Sequence, residues 1–286
     1  MKSFRTDLAI ELKDIRSKRL EGIDLSEETF NDLKISKVDI QTEEASFKIG
    51  KPVGVYYTVD IPPLKNFVSL NDNEIELISQ KIKTFLSLDE KLVLVVGLGN
   101  RDITPDSLGP RTVSKIISTR HIKLDVELND KFHHLKSVAA IAPGVLGQTG
   151  IEISEIIKSL VDKIRPNLVI VIDALVSQNI NRLGSTIQIS NSGISPGSGV
   201  MNPRKEISQD ILGVPIISIG VPTVVDAKTL VKDMSDKEDS DFKPMIVTPK
   251  EIDNIIKNAS DVLSLIINKT LQNNLSINEI KSLISL

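Results

Sequence analysis

Two aspartates stand at the ends of the two most apolar stretches of the chain. Residues 92–96 and 168–172 contain only Leu, Val and Ile; the first stretch leads through Gly97, Gly99 and Asn100 to Thr104, Pro105 and Asp106, and the second runs straight into Asp173. A carboxylate beside such a stretch is costly unless it is paired or functional. Two carboxylates in one site push their pKa values apart, leaving one protonated and the other ionised. Such a pair can activate water: the ionised member takes its proton while the neutral member polarises a peptide carbonyl. Asp106 has a second reading as a helix N-cap, a place that Asp fills well. Asp226, after the apolar residues 214–220, is a third carboxylate that can join the pair or start a helix.

The elements that must position these acids follow from periodicity. Short runs with nothing polar inside suit parallel strands buried on both faces. They are expected at 91–97, 137–142, 168–173 and 214–220, with a further strand at 186–190. Helical spacing appears at 73–86, 108–120, 152–164 and 249–271, where Pro110 sits near a helix start and does no harm there. Alternation at 53–59 suggests one or two antiparallel edge strands in the first seventy residues. Strands alternating with helices give one α/β domain with a mostly parallel sheet covered on both sides. Ligands of such sheets gather beyond the carboxyl ends of the strands.

Other segments carry weaker chemical signals. Gly97 and Gly99 follow a strand, but Asp102 stands where the third glycine of a dinucleotide fingerprint belongs; a tight turn accounts for the glycines. The 143–150 loop, with Gly144, precedes a helix near Glu152 and can offer backbone N–H groups to an oxyanion. The Gly/Ser/Pro-rich stretch 190–203, including Gly197, is long enough for a functional flap. The charged run 233–241 reads as a solvated loop.

Composition narrows the classes. The 286 residues are 40% hydrophobic but only 3% aromatic, so the core is built from Ile, Leu and Val. A net charge of −3 argues against a general nucleic-acid binder. Zero cysteines exclude disulfides and thiolate chemistry. His121, His133 and His134 are the only histidines, and the adjacent pair reads as solvated. No signal peptide or membrane-length apolar stretch is visible, which fits a soluble cytoplasmic protein.

Seven stretches, in order along nearly the whole chain, resemble the germination protease family of spore-forming bacteria: 4–9, 95–110, 138–155, 168–175, 186–206, 213–227 and 247–253. The resemblance implies a three-layer α/β/α sandwich similar to hydrogenase-maturation proteases. It implies a metal-independent, aspartic-type endopeptidase with no cofactor, in which Asp106 and Asp173 are the catalytic pair. Gly97, Gly99, Asn100, Gly144, Glu152, Gly197 and Asp226 fall in the matching stretches as supporting residues. The family acts on small acid-soluble spore proteins in the spore interior and is made as a homotetrameric zymogen that removes its own N-terminus. Its substrates are cut after Glu in Thr/Ser-Glu followed by Ile or Phe and then Ala. Thr6-Asp7-Leu8-Ala9 is similar to that pattern, so self-cleavage is expected between Asp7 and Leu8, with residues 1–7 as propeptide and 8–286 as one protease domain. The shorter acid makes Asp7 a poorer site than Glu.

The chain departs from the resemblance in three places. Ser195 stands where relatives have His, Met201 replaces a Gly, and the segment after Ala227 is shorter. Two other functions remain open on the residues alone. A metal-dependent maturation peptidase of the related fold would draw on His121, and a non-catalytic nucleotide- or partner-binding module would use the Gly97–Gly99 turn.

Overall fold

A computed structural model describes residues 6–12, 21–66, 70–87, 91–125, 132, 134–197, 205–227 and 245–285. His133, Met201 and the charged run 233–241 lie outside the described residues, as does the end of the 190–203 stretch. Among the described residues the strands are β1 (Ile23–Phe30), β2 (Leu33–Ile40), β3 (Gly54–Asp60), β4 (Leu92–Gly97), β5 (Ser137–Ile141), β6 (Leu168–Ser177), β7 (Thr186–Ser190), β8 (Ile216–Asp226) and β9 (Ile246–Val247). They form one sheet in the order β1-β2-β3-β7-β8-β6-β4-β5, with β9 pairing β8. The expected α/β class with a large sheet is what the chain adopts.

The sheet has a parallel heart and an antiparallel wing. β5, β4, β6 and β8 are mutually parallel. β1, β2, β3 and β7 are antiparallel, a wing larger than the one or two edge strands that the alternation implied. Alternation within the heart divides the core. Val93, Val95, Ile170 and Ile172 join a cluster under helices α2 (Asp72–Lys83), α3 (Leu108–Val113) and α6 (Ile252–Leu271). Leu94, Val96, Val169 and Val171 join a second cluster under α5 (Ile153–Ile164). With apolar helices on both faces the molecule has three layers.

Two local departures matter for the site. The 108–120 periodicity predicts one helix, but α3 stops at Val113 and a separate α4 (Arg120–Leu124) follows. Buried Asn268 explains the break: its Oδ1 accepts from Ile117 N–H at 2.9 Å and its Nδ2 donates to Lys115 C=O at 2.8 Å, replacing helical partners. Ile116 and Ile117 still pack on the core, and so they mimic a helical face. The second departure is β6, which does not end at Ile172. β4 pairs its last residue, Gly97, with Ile172, whereas β6 and β8 run on together past Asp173↔Gly220. The sheet therefore steps where β4 ends, and Asp173 sits in mid-strand at that step rather than beyond a strand end.

The wing carries one short helix, α1 (Glu43–Ile49). Thr42 caps it by accepting from Ala45 N–H, and Gly50 ends it at φ +71°. Lys51 follows that left-handed turn directly. Leu8, Ala9 and Ile10, from the N-terminal segment, are buried against Val38, Ile40, Tyr56 and Leu175.

Candidate active site

Asp106 closes the short turn Thr104–Asp106 that follows β4. Its carboxylate Oδ2 accepts the Asn100 N–H at 2.8 Å. It does not cap α3: the residue at that cap is Ser107, with no side-chain cap bond. The turn approaches closely because position 99 is glycine. A Cβ at Gly99, where φ is +109°, would lie 2.0 Å from the Asp106 carbonyl oxygen. Gly97 serves packing instead, since a Cβ there would strike the Gly109 backbone of α3 at 2.2 Å.

Asp173 is 8% exposed, and its Oδ1 accepts the Ala174 N–H at 2.9 Å. Burial raises its pKa well above the usual carboxylate range, and the negative charges of Asp106 and then Asp7 raise it further; the Ala174 N–H works against them. Asp106 is raised by burial alone and lowered by the Asn100 N–H. The structure thus brings the two acids within each other's field and makes Asp173 the harder one to ionise.

Both acids line one cavity of about 600 Å³, with Leu98, Ile103, Val176 and Val224 supplying apolar wall. Gly99, Asn100 and Gly197 line it too. Gly144 and Glu152 do not; they flank Val145, Leu146 and Gly147, which do. Glu152 sits at the N-cap of α5 without a side-chain cap bond. Asp226 is not brought to the pair: it is the last residue of β8, paired with Ile246, whereas the cavity takes Thr223 and Val224 from that strand. Ser195 borders the cavity. His121 lies exposed on α4 and His134 is exposed beside Phe132; neither lines the cavity. Among the described residues no group of three His, Cys, Asp or Glu has metal-binding geometry, and no helix is long and apolar enough to cross a membrane.

The N-terminal segment occupies the same place. Asp7 lines the cavity beside the acids. Its N–H donates to Val176 C=O at 2.9 Å, and its Oδ2 accepts the Val176 N–H at 2.8 Å. Gln188 Nε2 donates to the Asp7 carbonyl oxygen at 2.7 Å, Lys51 Nζ donates to the same oxygen at 3.1 Å, and Gln188 Oε1 accepts the Ala9 N–H at 2.8 Å. Thr6 Oγ1 accepts the Leu8 N–H at 3.0 Å. Downstream, the Glu11 carboxylate accepts from Ser177 Oγ at 2.6 Å and Gln178 N–H at 2.7 Å, with Arg182 Nε 3.5 Å away. The Asp7–Leu8 peptide is therefore held from both sides beside Asp173. Sequence reasoning missed Lys51, Gln188 and Glu11. Only Gln188 left a trace, as the one amide inside the apolar alternation of 186–190.

Comparison with known proteins points one way. The family profile described as germination protease matches residues 5–237. A germination protease of Clostridium perfringens (strain ATCC 13124) is 40% identical over 328 aligned residues, covering all of both chains. One from Caldanaerobacter subterraneus subsp. tengcongensis is 43% identical over 320, covering 98% of each. Among solved structures, a [NiFe] hydrogenase maturation protease from Thermococcus kodakarensis aligns with 65% of this chain and 96% of its own, at 16% identity and a TM-score of 0.36.

Proposed function

The chain belongs to the germination protease family, and on that premise we propose that it is an aspartic-type endopeptidase whose water-activating pair is Asp106 and Asp173. Its substrates are small acid-soluble spore proteins, whose degradation it begins when spores germinate. It is made as a zymogen and removes residues 1–7 by cutting its own Asp7–Leu8 bond. The observation that supports this most directly is the placement of that bond. Asp7 lines the cavity of the two acids and its charge raises Asp173.

In the proposed chemistry Asp106, the less perturbed acid, is ionised and takes a proton from the attacking water. Asp173, raised by burial and two neighbouring charges, holds the proton that the reaction must deliver. The pair titrates as a unit, and its apparent pKa values belong to both. Burial of Leu8, Ala9 and Ile10 supplies the positioning, since a substrate held in reacting geometry needs little further entropy loss. The homotetramer belongs to the same proposal. Leu25 and Phe30 on the exposed edge strand β1, and Phe47 on α1, offer apolar surface for it.

Incubation of the full chain, alone and with a Thr-Glu-Ile-Ala-containing peptide, tests the proposal by mass spectrometry of the products. A new N-terminus at Leu8 and scission of the peptide after Glu are expected. Persistence of both bonds would sink the proposal.

A further inference from the structure

The carbonyl oxygen of Asp7 is the end point of two side chains that the acid pair does not account for. Gln188 Nε2 reaches it at 2.7 Å and Lys51 Nζ at 3.1 Å. Both donors already reach the ground-state carbonyl oxygen, and a donor that stabilises an oxyanion in acyl transfer must stay within about 2.7–3.1 Å of that oxygen as it moves. The two donors come from different elements, Gln188 from the middle of β7 and Lys51 from the turn after α1. Gln188 is 8% exposed, and its amide also accepts the Ala9 N–H, so one side chain grips the backbone on both sides of the Asp7–Leu8 bond. Asp7 lines two cavities at once, a smaller one of about 180 Å³ with Lys51 and Gln188 and the larger one with Asp106 and Asp173. Asp7 is thus the residue shared between the cavity of Lys51 and Gln188 and the cavity of the two acids.

We propose that Lys51 and Gln188 are catalytic residues that form the oxyanion cradle of this peptidase. The proposal rests on Asp7–Leu8 being a cleaved bond and on the acid pair being its engine. The attacking water oxygen bonds to the Asp7 carbonyl carbon and gives its proton to the ionised carboxylate. The carbonyl π pair moves onto the oxygen, where Lys51 and Gln188 meet the new charge. Collapse of that adduct breaks the bond to Leu8 N, which leaves with the proton held by the neutral acid. The products are a free carboxyl on Asp7 and a free amine on Leu8. With the oxygen cared for by the cradle, the neutral acid is released to serve the leaving nitrogen.

The surroundings of Lys51 fit the task. Burial pushes its pKa down from the ordinary lysine range, and the charges of Asp7 and Glu11 oppose that effect. A half-buried cation interacts with a developing oxyanion more strongly than one in open water.

The test follows first-order self-cleavage of the full chain together with hydrogen exchange of its N-terminal peptide, which reports whether the segment stays docked. Asp106→Asn and Asp173→Asn run beside it. Lys51→Met is expected to slow cleavage by about 100- to 1000-fold with amide protection retained, and Lys51→Arg to recover part of the loss. Gln188→Glu, which keeps the acceptor for Ala9 N–H but loses the donor, is expected to slow it by a similar factor; this variant decides the matter if Lys51→Met does not fold. Cleavage within threefold of the parent in both Lys51→Met and Gln188→Glu, with the aspartate variants inert, overturns the cradle and leaves the acid pair standing. Loss of docking protection in step with rate overturns it too, by making the two residues mere anchors. Fully active aspartate variants remove the premise instead.

Discussion

In the parallel heart, β6 is apolar from Leu168 to Val176 except at Asp173, and the buried side chains next to it on β4 are Val and Leu. In the antiparallel wing the buried side of the sheet is mixed: Ser36, Thr58, Gln188 and Ser190 are buried among Val and Ile. The contrast has a physical origin. Helices cover both faces of the heart, so a polar group there has few partners and is kept only where it does something. The wing is crossed by the N-terminal segment, whose backbone supplies both partners of the Gln188 amide, while Ser36 is held by Glu27 and Ser190 by Ser192 and Ser218. The heart thus supplies reactive groups, and the wing supplies grip.

The largest expected effect tests the heart. Asp106→Asn and Asp173→Asn should each reduce self-cleavage by at least about 100- to 10,000-fold, the usual contribution of a positioned acid or base. Native-like circular dichroism would confirm that the fold survives. A variant that cleaves at the parental rate would show that its carboxylate is structural, and the contrast between heart and wing would collapse.

Next comes the hinge between the acids. Gly99→Ala forces a side chain onto φ +109° and into the Asp106 carbonyl. Relief requires the 104–106 turn to move. Strain of about 1–3 kcal/mol is expected, with a loss of cleavage near 100-fold from misplacement of Asp106. Chemical denaturation and the cleavage rate measure the two separately. A stability loss without a rate loss would mean that the position of Asp106 does not matter.

A smaller effect probes the wing. Glu11→Ala leaves the Ser177 hydroxyl and the Gln178 N–H without their carboxylate. An unsatisfied buried partner costs about 1–3 kcal/mol, which loosens the segment and slows self-cleavage by roughly tenfold or more. The same change should not slow cleavage of an added peptide, which brings its own contacts. Equal slowing of both reactions would place Glu11 in the chemistry rather than in the grip.

The same contrast governs what can be read from the sequence. Asp173 is conspicuous because nothing else breaks residues 168–176, and the heart's strands follow from their unbroken apolar runs. The end of that strand is not legible, since an acid in an apolar run looks like an end although β6 continues past it to Ser177. The 108–120 periodicity overextends α3 because Ile116 and Ile117 pack on the core from an irregular segment held by Asn268. Lys51 was invisible. It follows Gly50 at the end of a short helix, and its partner is a backbone carbonyl 44 residues earlier in the chain. Gln188 alternates with Ile187 and Ile189 as a solvent-facing residue would. Local pattern reveals a residue that violates its surroundings, but not one whose surroundings arrive from elsewhere.

The smallest effect concerns stability against pH, and its sign separates a functional carboxylate from a structural one. Asp173 has a raised pKa in the folded chain, so between the unfolded value near 4 and the higher folded value the native state binds the extra proton. Stability linked to this group is fully present below the unfolded value and falls as pH rises toward the folded one. Asp173→Asn removes the titration. Its Tm should therefore exceed that of the parent by a margin that grows as pH increases through this window and then levels off. Thermal unfolding in parallel pH series measures the margin. Asp7→Asn in the parent should narrow it, because the Asp7 charge contributes to raising Asp173. A carboxylate kept for structure would show the opposite sign, with the Asn variant less stable as pH rises; that outcome would move Asp173 from the engine of the site into its scaffold.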